Sequence, residues 1–226
     1  MKTVGSKKMF IITGTTRGLG EAFVSAIMEN SKDSIVSVSR SLTEKQKEYD
    51  TGRFNFIECD FTEQNIAGKI ELFSHYIAGD EIVFISNASL IAPISKVGTF
   101  DENKINDLVL VNVKTPIAIC NFLLNKFNDR KITVINISSG ASTKPIACWS
   151  LYCSTKAAMS MFLEVMTQEY PEHKFYTIDP GIMDTDMQLT IRNSEFNKLE
   201  EFIKYKEKGL LKSPRVIADQ ILARVL

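Results

Sequence analysis

Residues 9–20 read MFIITGTTRGLG, and this stretch decides the fold. Four apolar residues, Met9 to Ile12, run into a turn with glycines at 14, 18 and 20, and an amphipathic segment continues from Leu19 to Asn30. A short apolar run buried on both faces is a strand of a parallel sheet. A glycine turn opening into a helix lets backbone N–H groups approach a phosphate closely. The spacing is G-x-x-x-G-x-G, so the turn is informative through the strand before it and the helix after it. Gly14, Thr16, Arg17, Gly18, Leu19 and Gly20 form the candidate cradle.

Outward from this turn, short β-rich runs alternate with helical ones. The runs are MFIIT (9–13), SIVSVS (34–39), NFIEC (55–59), EIVFIS (81–86), ITVINIS (132–138) and KFYTID (174–179). Helices are predicted at Leu19–Asn30, Gln64–Tyr76, Asp101–Asn128 (capped by the aspartate), Leu151–Tyr170, and from Ser213 and Pro214 to the end. Such alternation gives a parallel sheet with right-handed crossovers. The expected class is α/β: a Rossmann-type, doubly wound, three-layer α/β/α sheet of six strands. It should form a single domain over 1–226, with a substrate-loop region at about 183–212.

The second run ends in Ser39 and Arg40, twenty residues beyond Gly20. A carboxylate near this point would hold a ribose 2′-OH, whereas a guanidinium suits a 2′-phosphate. Arg17 is a second candidate cation. The expected cofactor is therefore NADP(H).

Basic and acidic residues number 27 each, so no electrostatic footprint for nucleic acid exists. The N-terminal apolar run is too short for a signal-peptide core, and no basic amphipathic stretch marks a membrane surface. A cytoplasmic protein is expected. Cys59, Cys120, Cys148 and Cys153 show no metal-ligand spacing, nor do His75 and His173, which read as surface residues. No metal site is expected.

Tyr-x-x-x-Lys occurs twice, as YCSTK (152–156) and YPEHK (170–174). The spacing alone does not choose between them. The chain as a whole resembles the short-chain dehydrogenase/reductase family over nearly its full length. Thr13, Gly14, Gly18 and Gly20 match the family's Thr-Gly-x-x-x-Gly-x-Gly. Asp60, followed by Phe61, matches the acid that contacts adenine; Asn87 and Ala88 begin the family's Asn-Ala-Gly, with Ser89 replacing the glycine. Asn112, Ser139 (thirteen residues before Tyr152), Pro180, Gly181, Ile182 and Thr185 complete the pattern.

The resemblance selects Tyr152. It opens a helix after a strand ending in Ser138-Ser139, and Lys156 lies one turn on, on the same face. Tyr170 precedes a proline, and Lys174 begins the next strand. The implied mechanism is carbonyl reduction with a hydride from the nicotinamide. Tyr152 is the proton donor, and its pKa is lowered by the Lys156 ammonium and the oxidised nicotinamide. Lys156 also holds the nicotinamide ribose, Ser139 orients the carbonyl, and Asn112 holds a proton-relaying water.

DPGIMDTDMQ (179–188) resembles the sepiapterin-reductase-like branch, and most of all bacterial benzil reductases. This implies an aromatic 1,2-diketone reduced to an α-hydroxy ketone. Leu90, Ile91, Ile146, Trp149, Met183, Met187 and Leu189 are the expected substrate neighbours. No acidic pterin anchor and no seventh strand are found by Leu226, so a homodimer through the 101–128 and 151–170 helices is expected rather than a tetramer. The alternatives are a reductase of sepiapterin, 3-oxoacyl or sugar substrates, and a non-enzymatic NADP(H) sensor. A sensor would normally lose the tyrosine or lysine.

Overall fold

In the computed structural model, which describes residues 7–63 and 66–226, each predicted strand forms within a residue or two of its expected bounds. They are β1 (Lys8–Thr13), β2 (Ser34–Ser39), β3 (Phe54–Glu58), β4 (Glu81–Ser86), β5 (Lys131–Ile137) and β6 (Lys174–Ile178). The sheet is wholly parallel, in the order β3-β2-β1-β4-β5-β6. In register, Ile11 of β1 faces Val36 on one side and Phe84 on the other. Strand order reverses between β1 and β4, and a crevice opens there beyond the carboxyl ends of the strands.

Alternate strand residues feed two cores. Phe10, Ile12, Ile35, Val83 and Ile85 pack on one face against α1 (Gly18–Asn30) and the last helix, Pro214–Val225. Met9, Ile11, Val36, Phe84 and Val134 pack on the other, against the helices at 67–71, 102–127 and 150–169. Phe10 and Phe84 are essentially inaccessible to solvent. Truncating either to alanine should cost about 3–5 kcal/mol.

The helical expectations hold in part. The Asp101 carboxylate caps its helix, accepting from the N–H groups of Asn103 and Lys104. Ser213 stands at an N-cap but its side chain makes no capping bond. The predicted Gln64–Tyr76 helix is instead α3 (Ala67–Glu71) followed by a 3-10 turn at Leu72–His75. Its first residues, Gln64 and Asn65, lie outside the described residues. The short α2 (Glu44–Lys47) was not anticipated, although Thr43 and Gln46 form a capping box there.

The long Asp101–Asn128 helix is interrupted. α4 (Glu102–Val109) passes through a π turn at Leu110–Lys114 into α5 (Thr115–Phe127). Pro116 has no N–H to give the Asn112 carbonyl four residues earlier, and its ring crowds that carbonyl. The backbone loosens there, as π turns do at functional sites. By length and composition this rod could cross a bilayer, yet 56% of its apolar window is buried in the fold, as in a core helix.

α6 (Ser150–Glu169) carries Tyr152 and Lys156. The 183–212 segment, expected as loop, holds α7 (Asp186–Arg192) and α8 (Leu199–Glu207) before α9 (Pro214–Val225). His173, expected at the surface, is buried and stacks on Tyr170 with ring centroids 6.1 Å apart.

Candidate active site

A cleft of about 670 Å³ lies over the switch point, running from Arg40 and Asp60 at one end to Trp149, Phe202 and Tyr205 at the other. Of the candidate cofactor residues, all but Gly20 line it. Gly20 sits behind the wall: a Cβ there would come within 2.0 Å of the Gly14 carbonyl oxygen. Gly14 itself has φ +71°, and a Cβ on it would meet Ala88 Cα at 2.9 Å. The turn can thus be built only with glycine at both places.

The turn is fastened to β4. The Asn87 amide donates to the carbonyls of Thr13 (3.0 Å) and Gly14 (2.9 Å), while the Asn87 and Ala88 N–H groups share Thr13 Oγ1. Gln46, buried on α2, donates to the Thr15 carbonyl at 2.7 Å and holds the middle of the turn. Arg17 stands at the N-cap of α1 without a capping side-chain bond, so the first-turn N–H groups of α1 keep donors available beside the cleft. That arrangement fits a pyrophosphate.

At the end of β2, Arg40 lines the cleft with no carboxylate beside it on the strand. Asp60 is held below its ordinary value, chiefly by the Thr62 N–H at 2.9 Å. Arg17 does not point to the Arg40 end as a lone cation. Its guanidinium pairs with Asp186 of α7 at 2.8 Å.

Ser139, Tyr152 and Lys156 all line the cleft. Tyr152 is buried, with its ring edge-on to Trp149 at 5.8 Å. Burial pushes the phenol up to about 12, opposed by the nearby hydroxyls of Ser139 and Ser89. Desolvation outweighs these hydrogen bonds, and the Asp179 carboxylate adds to the rise. Lys156 is also buried; Nζ donates to the Ile137 carbonyl at 2.9 Å, and burial lowers the ammonium to about 8. Nζ lies 5.5 Å from the Tyr152 ring centre.

Asn112 does not line the cleft. Its amide is fully engaged, accepting from the Leu90 N–H (2.8 Å) and Ser89 Oγ (3.2 Å) and donating to the Leu90 carbonyl (2.8 Å) and Thr155 Oγ1 (3.1 Å). The side chain therefore has no capacity left for the expected water, and it fixes the backbone beyond β4.

The outer half of the cleft is apolar. Leu90, Ile91, Ile146, Trp149, Met183 and Met187 line it as expected; Leu189 does not, being half exposed on the outer side of α7. Phe202 and Tyr205 of α8 were missed, and both line the cleft. Trp149 packs against Phe202 at 5.6 Å and Phe196 at 5.7 Å. The signal was an aromatic pair at i, i+3 within a lysine- and glutamate-rich segment that reads as solvated loop.

The model of the short chain dehydrogenase family matches residues 8–195. A benzil reductase ((S)-benzoin forming) of Bacillus subtilis is 31% identical, over 96% of this chain and 92% of that protein. A sepiapterin reductase of Xenopus tropicalis is 33% identical over 64% of this chain and 58% of its own. The crystal structure of the KRED1-Pglu enzyme superposes with a TM-score of 0.87 at 30% identity, covering 97% of this chain and 95% of that one. With the cleft at the switch point and a buried tyrosine and lysine within it, the chain belongs to the short-chain dehydrogenase/reductase family, oxidoreductases that act between carbonyl and CH–OH groups with a nicotinamide cofactor.

Proposed function

We propose that this protein is an NADPH-dependent carbonyl reductase that converts aromatic 1,2-diketones of the benzil type to α-hydroxy ketones. The carrying observation is the placement of the Tyr152 phenol, buried beside Ser139 at the base of a cleft whose outer wall is Trp149, Phe202 and Tyr205. Flat aromatic groups pack well on such a wall. The similarity to the Bacillus subtilis benzil reductase supports the same class.

When bound, NADPH supplies the electron pair and hydrogen that reduce the carbonyl carbon. Tyr152 gives its proton to the carbonyl oxygen, and Ser139 hydrogen-bonds the same oxygen and orients it. A phenol raised to about 12 is fully protonated at neutral pH, as the donor must be. Lys156, largely charged at neutral pH, holds the cofactor ribose and favours the phenolate once the proton has gone. Gly14, Gly18 and the free end of α1 take the pyrophosphate, and Arg40 takes the 2′-phosphate, which supports NADPH over NADH.

The protein acts in the cytoplasm as a homodimer, through α4–α5 and α6. Val109, Met161 and Val165 leave an exposed apolar stripe on those helices. A scattering mass of four chains would count against that assembly. For the chemistry, cofactor oxidation is followed with benzil as substrate, comparing NADPH with NADH and wild type with Tyr152→Phe. Turnover with NADPH that disappears in the variant is expected. No turnover of benzil with NADPH binding intact sinks the diketone assignment, and equal use of NADH sinks the cofactor preference.

A further inference from the structure

We propose that Thr15 and Gln46 are positioning residues for Arg40: two buried ties from one residue of the glycine turn hold the segment that carries the guanidinium, and so set the preference for a cofactor with a 2′-phosphate. This rests on the reading of Arg40 as the partner of that phosphate.

Neither residue lines the cleft, and both are buried, Thr15 completely. They act through the backbone. Arg40 itself is exposed, and an exposed arginine keeps its rotamer freedom. Its reach is therefore set by where the main chain from Ser39 to Ser41 stands.

The first tie is a chain of hydroxyls whose direction follows from proton counts, since each hydroxyl has one proton to give. Ser39 Oγ gives its proton to the Ser41 carbonyl at 2.8 Å. Ser39 Oγ thus accepts from Thr15 Oγ1 at 3.0 Å. Thr15, its own proton spent, accepts from Ser37 Oγ at 2.6 Å. The residues on either side of Arg40 are joined to each other, and Thr15 holds the join.

The second tie leaves from the Thr15 main chain. Gln46 Nε2 donates to the Thr15 carbonyl at 2.7 Å, and Oε1 accepts from the Thr43 N–H at 3.1 Å. Thr43 Oγ1 accepts in return from the Gln46 N–H at 3.2 Å. Both ends of one amide are spent, which fixes its orientation. It links the glycine turn to the loop that follows Arg40. On one cofactor molecule the pyrophosphate and the 2′-phosphate are joined by a short, stiff adenosine. A cleft that takes both gains affinity when its two ends are already held at the matching separation.

The test is calorimetric binding of NADPH and NADH to wild type, Thr15→Val, Thr15→Ser, Gln46→Met and Arg40→Ala, and to Arg40→Ala combined with Thr15→Val or with Gln46→Met. Valine has the shape of threonine without the hydroxyl, and serine keeps the hydroxyl. Thr15→Val and Gln46→Met should each lower the ratio of NADPH to NADH affinity by about fivefold, the worth of one hydrogen bond. Thr15→Ser should keep the wild-type ratio. In the Arg40→Ala background neither substitution should change the ratio further, because the group they position is gone. A merely structural role weakens both cofactors alike and leaves the ratio in place, and that result overturns the proposal. So does a fall in the ratio that persists in the Arg40→Ala background, or a serine variant altered as far as the valine one. Gln46→Met carries the same comparison where Thr15→Val fails to fold. A wild-type ratio in Arg40→Ala alone would instead overturn the reading of Arg40 on which the proposal rests.

Discussion

Replacing Lys156 with methionine should abolish turnover and make the protein more stable at neutral pH. The Lys156 ammonium is completely buried, and burial lowers it from 10.5 to about 8. Each pKa unit corresponds to about 1.4 kcal/mol, so the folded state carries about 3 kcal/mol of penalty for the buried charge at pH 7. Methionine fills similar space without that charge. Against the gain stands the lost hydrogen bond to the Ile137 carbonyl at 2.9 Å, worth about 1 kcal/mol. The net is a stabilisation of about 2 kcal/mol at pH 7. The sign with pH follows from proton counts. Between about 8 and 10.5 the unfolded chain binds more protons at this lysine than the folded one, so wild-type stability rises through that window while the variant lacks this term. The variant's advantage should therefore be full below pH 8 and gone by about 10.5. Urea unfolding of both proteins at several pH values measures it. A variant less stable than wild type at pH 7, or a difference that stays constant across the window, would refute the reasoning.

Gly20→Ala should cost at least about 3 kcal/mol in urea unfolding, because the new methyl would sit 2.0 Å from the Gly14 carbonyl oxygen, a backbone atom that cannot swing aside. Arg40→Asp should move the ratio of kcat/KM for NADPH over NADH downward by about 10–100-fold, since the guanidinium proposed to hold the 2′-phosphate becomes a repulsive carboxylate. Phe202→Ala should raise KM for an aromatic diketone about tenfold and change kcat less than threefold, because the ring packs on the substrate side and lies off the proton path. An unchanged KM would remove α8 from the binding wall.

The sheet was legible in the sequence because its strands are covered on both faces. Runs such as FIIT and EIVFI admit no other reading between glycine and charged boundaries, and the glycine turn fixed which end of the sheet carries the cleft. Tyr152 was separable from Tyr170 because only one of the two opens a helix after a strand. What the sequence hid depends on tertiary contacts. Pro116 and Asn112 stand four apart in plain view, yet periodicity runs through the π turn almost undisturbed, and the hold of the Asn112 amide on Leu90 appears only in the folded chain. Phe202 and Tyr205 were masked by charged neighbours on a helix whose burial comes from its fit over the cleft. The desolvation that raises the Tyr152 phenol is a property of the packed fold, and no spacing of residues announces it. Ser89 showed in the sequence as a break in pattern, but its partner Asn112 appears only when the segment after β4 meets the π turn at Leu110–Lys114.

The ion pair between Arg17 and Asp186 joins the floor of the cleft to its outer wall, and both side chains are largely exposed. An exposed pair of this kind is worth about 0.2–1 kcal/mol and weakens with salt. A contribution of that size shifts any equilibrium by no more than about fivefold. Arg17 is also the cation within the glycine turn, so the pair ties that turn to the start of α7. Raising the ionic strength should therefore loosen the hold of α7 on the glycine turn while leaving the buried Tyr152 and Lys156 untouched.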